Sequence, residues 1–198
     1  MGGAGGAQGR GTHQLLTYMQ ITRPPSKQPL PPHARLVFLG VLADVYHWEQ
    51  ELYDGTKMTF EKIIRADSVQ VIPVTSEGKI IIMDQEQPGL GKFTSLVGGK
   101  SERGEDPFLA AKRELLEETG MEGERWELLA SFNPFATPEW MWFYFVVKDL
   151  KKITEPHPDG GERITLREVT FDRGRSKSKN CRFRGSNPEA PGFGVCFG

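Results

Sequence analysis

Cysteine is scarce in this 198-residue chain: Cys181 and Cys196 are the two, and neither has a C-x-x-C partner. That excludes a disulfide scaffold and leaves a zinc or redox-motif reading without support. No apolar run reaches the length of a membrane span, and the N-terminus lacks the apolar core of a secretory signal. A cytoplasmic setting is the expectation. Charge of one sign is lacking too. The 25 Lys and Arg residues face 26 Asp and Glu, a net charge of -1, which argues against nucleic acid or a membrane surface as the main partner. Acids are missing from the first 43 residues, where Gly and Pro are dense instead. Such a stretch cannot bury enough apolar surface to offset its ordering entropy, so residues 1–34 are expected to be a disordered tail.

From Arg35 onward the pattern turns to strands. Arg35–Leu39, Val45–Leu52 and Met58–Arg65 are rich in β-branched and aromatic residues, and Asp54-Gly55 between the last two is a hairpin turn signal. Ser68–Thr75, Lys79–Met83 and Phe93–Val97 read as further strands. A helix follows, with Asp106 as its N-cap, Pro107 at its first position and Gly120 as its stop. Trp126–Phe132, Met141–Val147 and Arg163–Phe171 complete the strands. Many antiparallel strands around one helix predict an α+β fold. After Asp172 the chain becomes basic, with Arg173, Arg175, Lys177, Lys179, Arg182 and Arg184 before any acid, and shows no helical periodicity. Residues 173–198 are expected to be a second disordered tail. The domain between the tails is expected over 35–172, with N-terminal strands at 35–66 and a core at 67–172.

The helix carries the chemistry. At about 100° per residue, Glu114, Glu117 and Glu118 fall within an arc of roughly 100°, while Phe108, Leu109, Leu115 and Leu116 lie on the other side and Lys112 interrupts them. Three converging carboxylates repel unless something holds them. A divalent cation such as Mg²⁺, which takes hard oxygen ligands and is completed by substrate phosphates, would do so. By spacing alone, a solvated helix face is the commoner reading.

The surrounding residues decide between these. Gly99–Met121 reads GKSERGEDPFLAAKRELLEETGM, with Gly99, Glu105, Arg113, Glu114, Leu115, Glu117, Glu118, Gly120 and Met121 at the fixed positions of G-x5-E-x7-R-E-U-x-E-E-x-G-U. At ordinary residue frequencies, a chance match is on the order of one in 10⁹ per starting position. The segment resembles the Nudix box. The resemblance implies a loop–helix–loop that binds metal and diphosphate within an α/β/α sandwich around a mixed sheet. It implies Glu114, Glu117, Glu118 and the Gly99 carbonyl as ligands of Mg²⁺, with Mn²⁺ an alternative, and an ion pair of Arg113 with Glu105 that orients them.

The preceding segment, Val45–Arg65 followed by Asp67–Val71, resembles the N-terminal antiparallel hairpin of ADP-ribose pyrophosphatases. Pro138 lies seventeen residues after Met121 and Pro134 thirteen, near the place where that group has a proline. The resemblance implies a homodimer built through the N-terminal strands, adenine contacts from Trp48 and Tyr46, and a general base on a late loop. In Pro156–Arg163, Glu162 fits that base best and Asp159 second. Trp140 and Trp142 read as sheet packing and His157 as a solvated loop residue. The implied activity is hydrolysis of the diphosphate in a nucleoside diphosphate derivative, with ADP-ribose giving AMP and ribose 5-phosphate. A dinucleoside polyphosphate, a nucleoside triphosphate, or a nucleotide-sensing module without turnover are the alternatives.

Overall fold

The computed structural model describes residues 19, 21–135, 137–158 and 160–170. The two tails, as far as they lie at 1–18 and 171–198, and Asp159 fall outside the described residues. Nine strands and one helix are formed in the order β1 (Arg35–Leu39), β2 (Ala43–Glu51), β3 (Lys57–Arg65), β4 (Ser68–Pro73), β5 (Lys79–Gln87), β6 (Gly91–Ser95), α1 (Pro107–Thr119), β7 (Met121–Phe132), β8 (Trp142–Lys152) and β9 (Arg163–Thr170).

Strands β1, β2 and β3 make an antiparallel sheet of their own. Its hairpin closes where expected. Gly55 takes φ 83, which a side chain would resist, and Asp54 Oδ1 accepts from the Thr56 amide at 2.9 Å and its hydroxyl at 2.6 Å. A second sheet orders β4, β8 and β7, with β4 and β8 parallel and β8 and β7 antiparallel. The third orders β6, β5 and β9, all antiparallel. The pairing is therefore mixed, and the fold is α+β as expected, with α1 the single helix among the described residues. Isolated bridges join Val71 to Val97 and Ser68 to Lys100, so the segment ahead of the helix is stitched to β4.

Alternation along β4 and β8 builds the core. Val69, Val71, Phe143, Phe145 and Val147 point to one face, where Met83, Phe108, Ala111 and Leu115 meet them. Each fully buried large side chain stabilises the fold by about 1.5–3 kcal/mol. Phe108 stands edge-on to Trp126 at 5.4 Å and anchors the helix N-terminus over the sheet. Asp106 caps that end, accepting from Phe108 N at 2.8 Å and Leu109 N at 3.3 Å. Gly120 stops the helix in the left-handed region, its N–H donating to Leu116 O at 2.8 Å. The buried stripe is Phe108, Ala110, Ala111, Leu115, Glu118 and Thr119; Leu109 is outside it, 48% exposed.

Several bounds differ from expectation: β5 runs on to Gln87, β7 starts at Met121, β8 continues to Lys152, and the N-terminal stretch is placed against the domain. The stretch from Ile21 to Ala34 has no strand or helix, yet it lies against the domain. Arg23 grips Asp67 at 2.8 Å and Glu139 at 2.9 Å. Lys62 of β3, only 1% exposed, pairs with Glu139 at 2.7 Å and donates to Ser26 Oγ at 2.7 Å and to the Gln28 carbonyl. A buried ammonium needs such partners, and the Pro-rich stretch supplies two of them. Residues 21–34, expected to belong to the disordered tail, are therefore held against the domain.

Candidate active site

The site is built where the β4-bridged segment meets α1. Gly98 takes φ 139, and a Cβ there would stand 2.2 Å from Val69 O. At Gly99 a Cβ would stand 2.7 Å from Glu114 Oε1 and 2.8 Å from Oε2. Gly98 needs glycine to pass β4, and Gly99 leaves room for the Glu114 carboxylate where it stands. The freed Gly98 N–H donates to Glu118 Oε2 at 2.7 Å.

Arg113 organises the carboxylates. Its Nε and Nη2 donate to the two oxygens of Glu105 at 3.0 and 3.1 Å, and Nη2 also reaches Lys100 O at 3.1 Å. Its Nη1 donates to Glu114 Oε1 and Glu117 Oε2, both at 2.9 Å. The expected pair of Arg113 with Glu105 is thus formed as a two-bond fork, which fixes orientation as well as distance. The hydrogen bonds from Arg113 hold the Glu105 carboxyl below its ordinary range, and its carboxylate partners hold the guanidinium proton more tightly still.

Burial acts the other way on the two inner glutamates. Desolvation pushes Glu114 up to about 7, against the opposing charge of Arg113. It pushes Glu118 up to about 9, with the Gly98 N–H opposing and the charges of Glu114, Glu162 and Glu117 adding to it. Such carboxyls ionise readily only beside a cation. Glutamate oxygens and the Gly99 carbonyl are the donor types that Mg²⁺ and Mn²⁺ take. The Gly99 carbonyl already accepts from Val69 N at 2.9 Å, so it offers its second lone pair. Among the described residues, no three His, Cys, Asp or Glu side chains stand ready to enclose an ion. Arg113 Nη1 bridges Glu114 and Glu117 instead; Glu117, 44% exposed, has room to turn.

Glu162 ends the loop before β9. It accepts from Gln87 Nε2 at 2.6 Å, and its charge is felt at Glu118. Gln87 in turn donates to Gln85 Oε1 at 3.2 Å, and Gln85 to Ser95 Oγ at 2.6 Å, a chain across β5 and β6. A cleft of about 520 Å³ opens here, lined by Gln87, Pro88, Gly89, Gly161, Glu162 and Arg163. Neither this cleft nor another, lined by Ile81, Met121, Arg125 and Lys148 among others, is lined by Glu114, Glu117 or Glu118.

Of the expected substrate contacts, Trp48 and Tyr46 lie on β2 and Pro138 lies between β7 and β8. Trp48 is 4% exposed, edge-on to Phe60 at 5.8 Å, with its N–H on Gln50 Oε1 at 3.1 Å. The ring is buried and packs on Phe60 within the N-terminal sheet. Tyr46 and Pro138 are half-buried, and the Pro138 carbonyl accepts from Asn133 Nδ2 at 2.9 Å. Trp140 packs as expected: Phe135 stacks on it at 5.5 Å, the Arg65 guanidinium lies 4.0 Å from its centroid, and its N–H donates to Ser68 Oγ at 2.8 Å. A contact with no sequence signal is that of Arg103 with Asp44, two bonds of 2.7 Å between residues 59 positions apart.

Residues 64–181 match the NUDIX domain family. The chain is 34% identical over 139 residues to the methanol dehydrogenase activator of Bacillus methanolicus, covering 69% of this chain and 75% of that one. It is 31% identical over 140 residues to the ADP-ribose pyrophosphatase of Bacillus subtilis (strain 168), with coverage of 69% and 75%. Among solved structures, an ADP compounds hydrolase shares the fold, with a TM-score of 0.58 at 18% identity over 74% of this chain and 80% of its own. The complete box and matches that cover most of the chain show that this protein belongs to the Nudix hydrolase family.

Proposed function

We propose that the protein hydrolyses ADP-ribose to AMP and ribose 5-phosphate with Mg²⁺, or alternatively Mn²⁺, held by Glu114, Glu117, Glu118 and the Gly99 carbonyl. The observation that carries this reading is the joining of Glu114 and Glu117 by Arg113, beside Glu118 seated on the Gly98 amide. When bound, the cation lowers the pKa of a water and neutralises charge on the phosphoryl oxygens. Arg113, gripped by Glu105, keeps Glu114 and Glu117 aimed at one point. A carboxylate oxygen of Glu162 takes the proton of the water that attacks phosphorus, and Gln87 holds the other end of that side chain in place. The bridging P–O bond breaks, and its oxygen leaves with the other phosphate. Support for the substrate comes from the likeness to the Bacillus subtilis ADP-ribose pyrophosphatase.

Two further parts of the reading stand on surface features. The residues of β1 are all exposed, with Phe38 59% and Leu39 65% open. Natural proteins rarely leave such an apolar edge bare, so a homodimer forms through it, to be checked by light scattering at tens of micromolar protein. With Trp48 packed inward, adenine contact falls to Tyr46, and Pro138 is a further substrate contact. The substrate test is kcat/KM for ADP-ribose against a diadenosine polyphosphate and a nucleoside triphosphate, with and without chelator. ADP-ribose is the expected preference. A preference for either competitor by about tenfold, roughly 1.4 kcal/mol of transition-state binding, would replace the substrate and leave the hydrolase.

A further inference from the structure

We infer that Asp44 and Arg103 form a latch through which the N-terminal sheet sets the geometry of the box carboxylates, making both of them positioning residues for the cation site. The inference rests on the reading of Glu114, Glu117 and Glu118 as cation ligands. It begins with the turn that precedes α1. Glu102–Glu105 is a four-residue turn in which Glu105 N donates to Glu102 O at 3.1 Å. Gly104, its third residue, takes φ 78 and leaves Arg103 at the corner with its side chain directed outward. The Glu105 carboxylate folds back and accepts from Glu102 N at 2.8 Å. Turn and carboxylate are thus one unit, and whatever fixes the turn fixes Glu105.

Arg103 is what ties that corner to the N-terminal sheet. Its Nη1 and Nη2 each donate to one oxygen of Asp44 at 2.7 Å, and Nη2 also reaches toward the Gly40 carbonyl at 3.5 Å. A fork of two parallel charged bonds resists rotation as well as stretching. Asp44 lies in β2 and is 6% exposed, so its end of the fork is rigid. The Arg103 side chain is 65% exposed and buries little surface, so the pair contributes direction more than packing.

From the turn the constraint passes on through charged bonds alone. Glu105 holds Arg113 by two bonds, and Arg113 Nη1 holds Glu114 and Glu117. The path Asp44, Arg103, Glu105, Arg113, Glu114 runs from the sheet proposed as the subunit contact to the carboxylates proposed as ligands. A shift of β2 moves the Arg103 tip and, through Glu105, the point at which the glutamates converge.

The test uses full-length, metal-free protein and two variants. Arg103→Met keeps the aliphatic stem and removes the fork; Asp44→Asn keeps the shape and removes the charge. Manganese affinity by calorimetry, amide exchange of residues 102–106 without metal, and Tm are measured for each variant and for the double variant. The expected result is Mn²⁺ affinity weakened about tenfold or more in each variant, as for other residues that orient metal ligands. Exchange at Glu102 and Glu105 should quicken, and the double variant should bind no worse than either single one. Wild-type affinity and unchanged exchange in Arg103→Met would overturn the latch, whatever the fate of Asp44→Asn. Loss of Tm alone, with affinity kept, would overturn it equally. If the unaltered protein binds no Mn²⁺, the carboxylate reading itself fails, and the exchange rates still decide whether Asp44 fixes the turn.

Discussion

Removing divalent cations should make this protein less stable as pH rises from 5 to 9, the reverse of ordinary acid denaturation. Glu114 is pushed up to about 7 and Glu118 to about 9 by burial. A carboxyl with a folded-state pKa above its unfolded value binds its proton more tightly in the native state. Its contribution to stability is whole below about 4.5 and is lost as pH climbs through the folded pKa. Glu114 is 12% exposed at its side chain, and its shift corresponds to a loss on the order of 3 kcal/mol once it ionises unpaired. For a chain of this size each 1 kcal/mol moves Tm by about 2–4 °C, so a fall of roughly 5–10 °C is expected between pH 5 and 8.5 in EDTA. Glu118 adds to the same slope. The acids held low by partners, such as Glu105 and Asp84, titrate below this window and leave it undisturbed. Saturating Mg²⁺ should restore Tm at pH 8.5 and do little at pH 5, where the protonated carboxyls cannot ligate. Calorimetric scans at pH 5, 7 and 8.5 with EDTA or Mg²⁺ read this directly. A Tm that stays flat with pH in EDTA, the same slope in the Glu114→Gln, Glu118→Gln double variant, or an equal Mg²⁺ effect at pH 5 would refute the reasoning.

Other outcomes follow from single contacts. Arg113→Lys cannot reproduce the fork to Glu105, and losing two charged hydrogen bonds of about 1.5–3 kcal/mol each should cost at least about a hundredfold in kcat, checked under saturating substrate. Glu162→Gln should lower kcat by about 10²–10⁴ with KM little changed, the signature of a lost base rather than lost binding. Trp48→Ala should cost about 3–5 kcal/mol in denaturant unfolding, because the ring packs against Phe60, and should leave the KM of the remaining folded protein near its original value.

What could be read from the sequence was what lies close along the chain. The helix from Asp106 to Gly120 and the Asp54-Gly55 hairpin follow from caps and turn chemistry, and the pair of Arg113 with Glu105 from the resemblance to the Nudix box. Contacts that depend on distant partners were not legible. Arg23 meets residues 44 and 116 positions away, and nothing in a Gly/Pro-rich stretch announces them. Lys62 stands on β3 as an ordinary polar residue until Glu139, Ser26 and Gln28 enclose it. Trp48 shows the limit of period-2 reasoning. Alternation places Asp44 and Trp48 on the same face of β2, both buried, but does not say whether that face meets protein or ligand. The rise of Glu118 to about 9 likewise depends on its burial under Gly98, which helix spacing alone cannot show.

The most direct measurement is product analysis of ADP-ribose hydrolysis by the purified protein, with Mg²⁺, with excess EDTA, and by the Glu118→Gln variant. Glu118 meets the Gly98 amide at the centre of the box, so the substitution removes one proposed ligand while keeping its shape. The expected result is AMP and ribose 5-phosphate in equal amounts with Mg²⁺, and turnover lower by orders of magnitude in both other cases. Undiminished turnover in EDTA, unchanged turnover by Glu118→Gln, or no cleavage of any nucleoside diphosphate derivative with Mg²⁺ present would contradict it.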